Sequence, residues 1–375
     1  MKEFPLTPAL SPSEGERENR RQSKSTPATD SGRTTHEKSS GRQHLFPLPR
    51  RGGEGQGEGA TTPAKPTSRR RFLRQSFLVG GAAWAASQTV ACRAPGQAPE
   101  PRWQIGCYTR PWDQFEYRTA LDGIAEAGFK YAGIMTAKTK TWLLLTVDSS
   151  LEDAATVGEE IRKRGLKPAS LYAGEFPVAA SIAAGVEGLQ KLINLSVACG
   201  APNLMLAGVG DVKLYDTYFK VIAEGCDYAA AKGVGLSMKP HGGFIATGAQ
   251  LRQGIERVGH KNFRVWYDPG NIFYYSDGKL DPVNDVASVA GLVAGVSVKD
   301  FRLPKEVLVT PGTGMVDFRR VFEGLQQGGF RRGPLLVECL ERGDAAKVTA
   351  EAVKARQFLE ELTKPRRDQK VTSYR

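Results

Sequence analysis

Four short segments in the second half of the chain end apolar runs with residues that could do chemistry. Ser237-Met238-Lys239-Pro240-His241-Gly242-Gly243 places an amine and an imidazole two positions apart. Asp268-Pro269-Gly270-Asn271 follows FRVWY, Lys299-Asp300 follows GVSV, and Glu338-Cys339 follows PLLV. An ammonium group can stabilise negative charge that develops on a ligand oxygen, and a carboxylate can accept a proton. An imidazole changes charge near working pH and can do either job. For any single segment a surface cap or a salt bridge is the simpler account. Four charged ends in succession resist that account, because buried charge is a poor source of stability. Lys239, His241, Lys299 and Glu338 are therefore expected to be catalytic, with Asn271 as a neutral hydrogen-bond handle for a ligand.

These groups need a scaffold that brings strand ends together. From Trp103 onward, short apolar runs alternate with amphipathic stretches at helical spacing, the pattern of parallel strands joined by crossover helices. The runs WQIGCYT, YAGIM, LKPASLY, NLMLAG, VGLSMKP, FRVWYD, GVSVKD and PLLVECL make eight strands. Eight helices are expected between and after them, the last over 345–362, within about 260 residues. A closed (β/α)8 TIM barrel leaves no free edge and covers both faces of the sheet. An open doubly wound sheet is the competing arrangement, weakened by the lack of G-x-G-x-x-G after the first strand. In a barrel, reactive groups sit at the carboxyl ends of strands. That rule adds Tyr108, Arg110 and Trp112 after the first strand, and Tyr172 and Glu175 after the third. Tyr108, Trp112 and Tyr172 are expected to stack on the apolar face of a ligand, and Phe273-Tyr274-Tyr275 to line a wall.

The formal charge of +12 would suggest an anionic partner if it covered the folded surface. It does not. Residues 1–100 hold 16 Lys and Arg against 9 Asp and Glu, residues 364–375 hold 5 against 1, and residues 101–363 hold 31 against 30. The folded part is nearly neutral, so no nucleic-acid partner is expected. The five cysteines, Cys92, Cys107, Cys199, Cys226 and Cys339, show no C-x-x-C spacing, and four of them read as small buried hydrophobes.

Residues 1–66 are rich in Ser, Gly, Pro, Arg and Glu and are expected to be disordered. Two similar stretches within them, PLTPALSPSEGERE and PLPRRGGEGQGEG, look like two readings of one inverted DNA repeat, which would make this region an over-extended gene start. Residues 67–100 form a signal segment and linker. Ser68-Arg69-Arg70, a spacer, and Phe72-Leu73 precede an apolar stretch from Phe77 to Ala86 that is too short to span a membrane. This order resembles a twin-arginine export signal. It implies the twin-arginine export machinery as a partner and placement in the periplasm or cell envelope. Membrane contact is then expected only through the signal or through a lipid on Cys92, whose Thr89-Val90-Ala91-Cys92 setting weakly resembles a lipoprotein cleavage box. The barrel occupies 101–363, and 364–375 is a basic tail.

Over about residues 102–362 the chain resembles the xylose isomerase-like barrel superfamily, and within it the sugar phosphate isomerase/epimerase family. The resemblance rests on YDPGN at 267–271, SVKDF at 297–301, PGTGMVDFRRVFEGLQQGGFRRGPLLVE at 311–338, and the H-G-G after the fifth strand. It implies a carbohydrate substrate, proton transfer next to a sugar carbonyl, and a divalent metal (Mn, Mg or Zn) on four ligands. Asp268 and Glu338 match two of those ligands. Lys239 stands where the first glutamate is expected, and Ser297 stands in place of the histidine. The metal is then either lost or held by Asp268, Glu338 and water. Three functions follow: an exported carbohydrate isomerase or epimerase, a metal-independent sugar lyase or hydrolase, and a non-catalytic sugar-binding envelope protein.

Overall fold

The computed structural model describes residues 101–364. The eight expected strands are β1 (Trp103–Tyr108), β2 (Tyr131–Ile134), β3 (Lys167–Tyr172), β4 (Asn203–Leu206), β5 (Gly235–Met238), β6 (Phe263–Tyr267), β7 (Val293–Val298) and β8 (Gly333–Val337). They close in sequence order into one parallel barrel, with β1 paired to β8. The fold is thus the (β/α)8 barrel rather than the open sheet.

The crossover helices are α1 (Tyr117–Glu126), α2 (Leu151–Lys163), α3 (Ile182–Cys199), α4 (Tyr215–Ala231) and α5 (Gly248–Val258), followed after β6 by α6 (Pro269–Tyr275) and α7 (Pro282–Asp285). The set closes with α8 (Phe318–Gln327) and α9 (Ala345–Thr363). Their ends follow local chemistry. Helix α2 opens on a Ser150/Asp153 capping box, with Glu152 and Asp153 in its first turn and Arg162 and Lys163 in its last, matching the macrodipole. A Thr247/Gln250 capping box opens α5, and Gly259 in the left-handed conformation closes it.

Two local departures from the eight-helix expectation matter. Residues 282–289 split into α7 and a 3-10 turn over Val286–Val289. Helix α6 is additional and starts immediately after β6, because Asp268 caps it and Pro269 takes its first position. A site residue is thereby fixed as a helix cap.

Apolar burial falls into two clusters. The larger one lies between the strands and the surrounding helices and includes Trp112, Ile134, Leu192, Phe219, Phe263 and Leu359. The smaller one fills the barrel interior with Tyr108, Tyr131, Met135, Tyr172, Met205, Trp266 and Leu336. Alternation along a strand explains the inner set: two residues beyond Trp266 comes Asp268, and two beyond Leu336 comes Glu338. The apolar floor and the charged mouth are successive steps of the same strands.

Two of the interior rings need missing side chains beside them. A Cβ on Gly133 would collide with the Tyr108 ring, and a Cβ on Gly295 with the Trp266 ring. Gly133→Ala and Gly295→Ala are expected to overpack the interior and cost about 1–3 kcal/mol each. Urea denaturation of the two variants against the parent chain checks this, and unchanged midpoints would contradict the packing account.

Candidate active site

At the C-terminal mouth of the barrel, charged side chains from five strand ends meet. Lys239 Nζ donates to Glu338 Oε1 at 2.6 Å and to Asp268 Oδ2 at 3.3 Å. Lys299 Nζ lies 2.6 Å from the same Glu338 oxygen and 3.2 Å from the same Asp268 oxygen. Arg110, in the 3-10 turn after β1, brings Nη1 to 3.1 Å from Glu338 Oε1. All five groups are buried. Two carboxylates are bridged twice over by two ammonium groups, and a guanidinium leans on one of them.

Neighbouring structure holds each member in place. Asp268 divides its oxygens: Oδ1 accepts from Asn271 N as the α6 cap (3.0 Å), and Oδ2 faces the lysines. Asn271 Nδ2 donates to Pro240 O at 2.7 Å, and its Oδ1 accepts from Lys299 Nζ at 3.0 Å. Gly270 leaves room for the Lys299 stem, which a Cβ there would strike. Asp300 points away from the cluster and accepts four backbone N–H groups, from Phe301, Gly312, Gly314 and Val316, at 2.8–3.0 Å. It staples the loop between β7 and α8.

Electrostatics separates the titratable groups. Burial alone would raise the Glu338 pKa, but Lys239, Lys299 and Arg110 outweigh it and hold the carboxyl well below its usual range. For Lys299, burial works against the charge, and Asp268 and Glu338 reverse this to hold its pKa well above the ordinary value. His241, half-buried at the rim, is pushed well below its usual pKa by burial and then by the charges of Lys239 and Lys299. Its ring lies 5.6 Å from that of Tyr275. At neutral pH the site holds a carboxylate, an ammonium at Lys299 and a neutral imidazole.

The structure thus brings together Lys239, Asp268, Lys299 and Glu338, with His241 beside them. It positions the other sequence candidates differently. The side chain of Asn271 is engaged between Lys299 and Pro240 and so positions an ammonium. Tyr108 and Tyr172 belong to the interior cluster beneath the charges. Tyr108 Oη, near Ser170 and Ser297, makes no well-formed hydrogen bond. Trp112 lies outside the barrel, packed against Gly123 and Thr349, because the 3-10 turn after β1 breaks the strand alternation. That same turn directs Arg110 inward, a member that sequence reasoning had not placed among the catalytic groups. Its signal was there: it lies two residues beyond the interior-facing Tyr108.

A family described as the xylose isomerase-like TIM barrel matches residues 121–362. The chain belongs to this family. Among curated members, an inosose dehydratase from Geobacillus thermodenitrificans is 28% identical over 156 residues, which is 36% of this chain and 50% of that enzyme. The chain thus spans about half the length of such relatives. An L-ribulose-5-phosphate 3-epimerase from Salmonella typhi is 25% identical over 252 residues, 62% of this chain and 84% of that enzyme. Among solved structures, a xylose isomerase domain protein from Planctomyces limnophilus superposes with a TM-score of 0.55 at 19% identity, covering 70% of this chain and 98% of that one. This last likeness supports the fold alone.

The xylose isomerase-like family raises the question of a divalent ion. Such an ion needs several carboxylate oxygens or imidazoles turned to one point. Here two carboxylates converge, and both converging oxygens already touch two ammonium groups. Among the described residues, no group of three His, Cys, Asp or Glu could hold an ion. Ser297, buried on β7, contributes only a neutral hydroxyl. The donor set does not fit a hard divalent cation.

The pKa directions fix how stability depends on pH. Glu338 has a depressed folded pKa, so its contribution is complete above the ordinary carboxylate range and is lost as pH falls through the folded value. His241, also depressed, adds a loss that begins below the ordinary histidine pKa, where the unfolded chain takes up a proton that the folded chain refuses. Lys299, with a raised pKa, keeps its contribution until pH climbs past the ordinary lysine value. Stability is therefore expected to be flat from about pH 7 to about pH 8, to fall on the acid side, and to fall on the alkaline side as the unfolded chain ionises Cys107, Cys199, Cys226 and Cys339, whose thiols burial keeps protonated in the fold. In His241→Gln the first part of that fall should vanish, read by urea titrations across pH. An unchanged acid limb would contradict the assignment.

Proposed function

We propose that this chain is a carbohydrate isomerase or epimerase that moves a proton next to a sugar carbonyl. The observation that carries the reading is the pairing of a buried ammonium cluster with a neutral imidazole at one barrel mouth. Removing a proton next to a carbonyl puts negative charge on the carbonyl oxygen, and fixed cations in a dry site stabilise that charge. His241, kept neutral, takes the proton. Glu338 is the weaker acceptor of the two, because three cations hold its charge. Arg110 and Lys299 orient it, and Lys239 faces the ligand oxygen. Relatives named as an inosose dehydratase and an L-ribulose-5-phosphate 3-epimerase support a polyhydroxy carbonyl compound as substrate.

Elimination is a second outcome of the same first step. Once the charge sits on the carbonyl oxygen, the hydroxyl on the carbon beyond the deprotonated one can leave as water, taking with it the proton that His241 accepted. The inosose dehydratase matches favour that branch.

Solvent deuterium uptake into ketoses and keto-polyols, followed by proton NMR, tests the reading. The parent chain is expected to wash deuterium into the carbon beside the carbonyl, and His241→Gln and Lys239→Gln to slow this by about 100-fold or more. Binding without exchange in any substrate would make the chain a sugar-binding protein instead.

We propose further that the chain works in the periplasm or cell envelope, reached by the twin-arginine route. Ser68-Arg69-Arg70 and Phe72-Leu73 ahead of a short apolar stretch support this. Fractionated cells should yield a mature envelope form whose first residue lies beyond the apolar stretch, identified by its N-terminal peptide. A chain recovered only inside the cell with its twin arginines intact would overturn the proposal.

A further inference from the structure

Hydrogen-bond accounting at the cluster leaves specific atoms without partners. A lysine ammonium carries three N–H donors. Lys239 directs hydrogen bonds to two acceptors, Asp268 and Glu338. Lys299 meets three, Asn271 Oδ1 at 3.0 Å, Glu338 Oε1 at 2.6 Å and Asp268 Oδ2 at 3.2 Å, which occupy all three of its donors. Lys239 thus keeps one N–H that no protein oxygen takes, although its side chain is buried. Both nitrogens lie 2.6 Å from Glu338 Oε1, so they are close neighbours. On the other side of the same carboxylate, Glu338 Oε2 is buried with no hydrogen-bond partner at all. Buried polar atoms without partners are costly, and their presence in one place points to something that completes them.

We propose that these atoms form a metal-free seat for an α-hydroxy carbonyl group. The carbonyl oxygen takes the leftover N–H of Lys239, with the Lys299 charge beside it, and the adjacent hydroxyl donates to Glu338 Oε2. An α-hydroxy carbonyl has an acceptor and a donor on neighbouring carbons, which is the complement of the unmatched set. The ammonium pair supplies the positive charge that a divalent cation would otherwise bring, and it occupies the space between the carboxylates where such a cation would sit. Lys299 is locked by Asn271, so it arrives in position without reorganisation at the moment of binding. This inference rests on the proposed reaction for its substrate class, but the metal-free seat stands on geometry alone.

Two binding experiments separate these parts. Mn2+ is titrated into the whole chain by calorimetry, with electron paramagnetic resonance counting the free ion. No saturable binding is expected up to about 1 mM, the weak end of carboxylate sites. In K239E/S297H a carboxylate and an imidazole join Asp268 and Glu338, and a new saturable site is expected that D268N removes again. Saturable binding to the parent chain that D268N abolishes would overturn the proposal. So would a folded K239E/S297H that takes up no ion. Should circular dichroism show K239E/S297H unfolded, K239S/S297H carries the same arm, with weaker binding expected and its absence equally decisive.

The second experiment uses saturation-transfer NMR with dihydroxyacetone and with glycerol, which keeps the hydroxyls and lacks the carbonyl, both in excess chelator. Transfer to dihydroxyacetone is expected and should fall at least about tenfold in K239Q, the scale of one lost charge-assisted hydrogen bond. Equal transfer to glycerol, or no transfer to dihydroxyacetone in the presence of the chelator, would overturn the seat. Failure of deuterium exchange with both binding results intact would remove the isomerase reading and leave the seat in place.

Discussion

The contact on which the mouth of this barrel depends is the double bridge of Lys239 and Lys299 across Asp268 and Glu338. Charges taken out of water lose several kcal/mol each unless partners return it, and removing one partner from such a set leaves an uncompensated charge that costs about 3–5 kcal/mol. Each member comes from a different strand end, so the bridge requires β5, β6, β7 and β8 to keep their register. Pieces that look decorative in sequence serve that requirement. Asp268 is fixed because it also caps α6, Gly270 yields space to the Lys299 stem, and Asn271 ties Lys299 to the backbone at Pro240.

The same bridge divides the chemistry among groups that could otherwise compete. A carboxylate surrounded by three cations stays ionised and gives up basicity. The imidazole next to those cations stays neutral and keeps a lone pair available. The fields that weaken Glu338 as a base are the ones that prepare His241, so neither residue's role can be assigned without the lysines.

Much of this architecture is legible in sequence. Parallel strands buried on both faces read as apolar runs, and helix ends carry caps and glycines, so the eight-strand barrel follows from pattern alone. The charged strand ends follow from the rule that places chemistry at the carboxyl side. Hydrogen-bond partners are not legible. Asn271 looks like a free amide until the fold carries it between Lys299 and Pro240, and Asp300 looks like a reactive acid until the loop after β7 wraps four amides onto it. Trp112 was misjudged because two-residue alternation holds only while the strand continues, and a 3-10 turn begins at Arg110. Helix α6 was hidden because seven residues are too few to show helical periodicity.

Where the barrel draws its stability explains why so costly a mouth is tolerated. The large apolar cluster lies between strands and helices, while the interior holds a smaller set of rings. Just below the charges, the floor includes Ser237, Trp266 and Ser297, whose polar atoms are buried without partners. A floor chosen for stability would use aliphatic side chains there, since replacing polar groups by apolar ones of equal shape removes the desolvation penalty. The outer shell can carry the fold without help from the axis. That independence frees the axis to hold unmatched donors and acceptors in a fixed geometry, which is the condition for recognising a ligand that matches them.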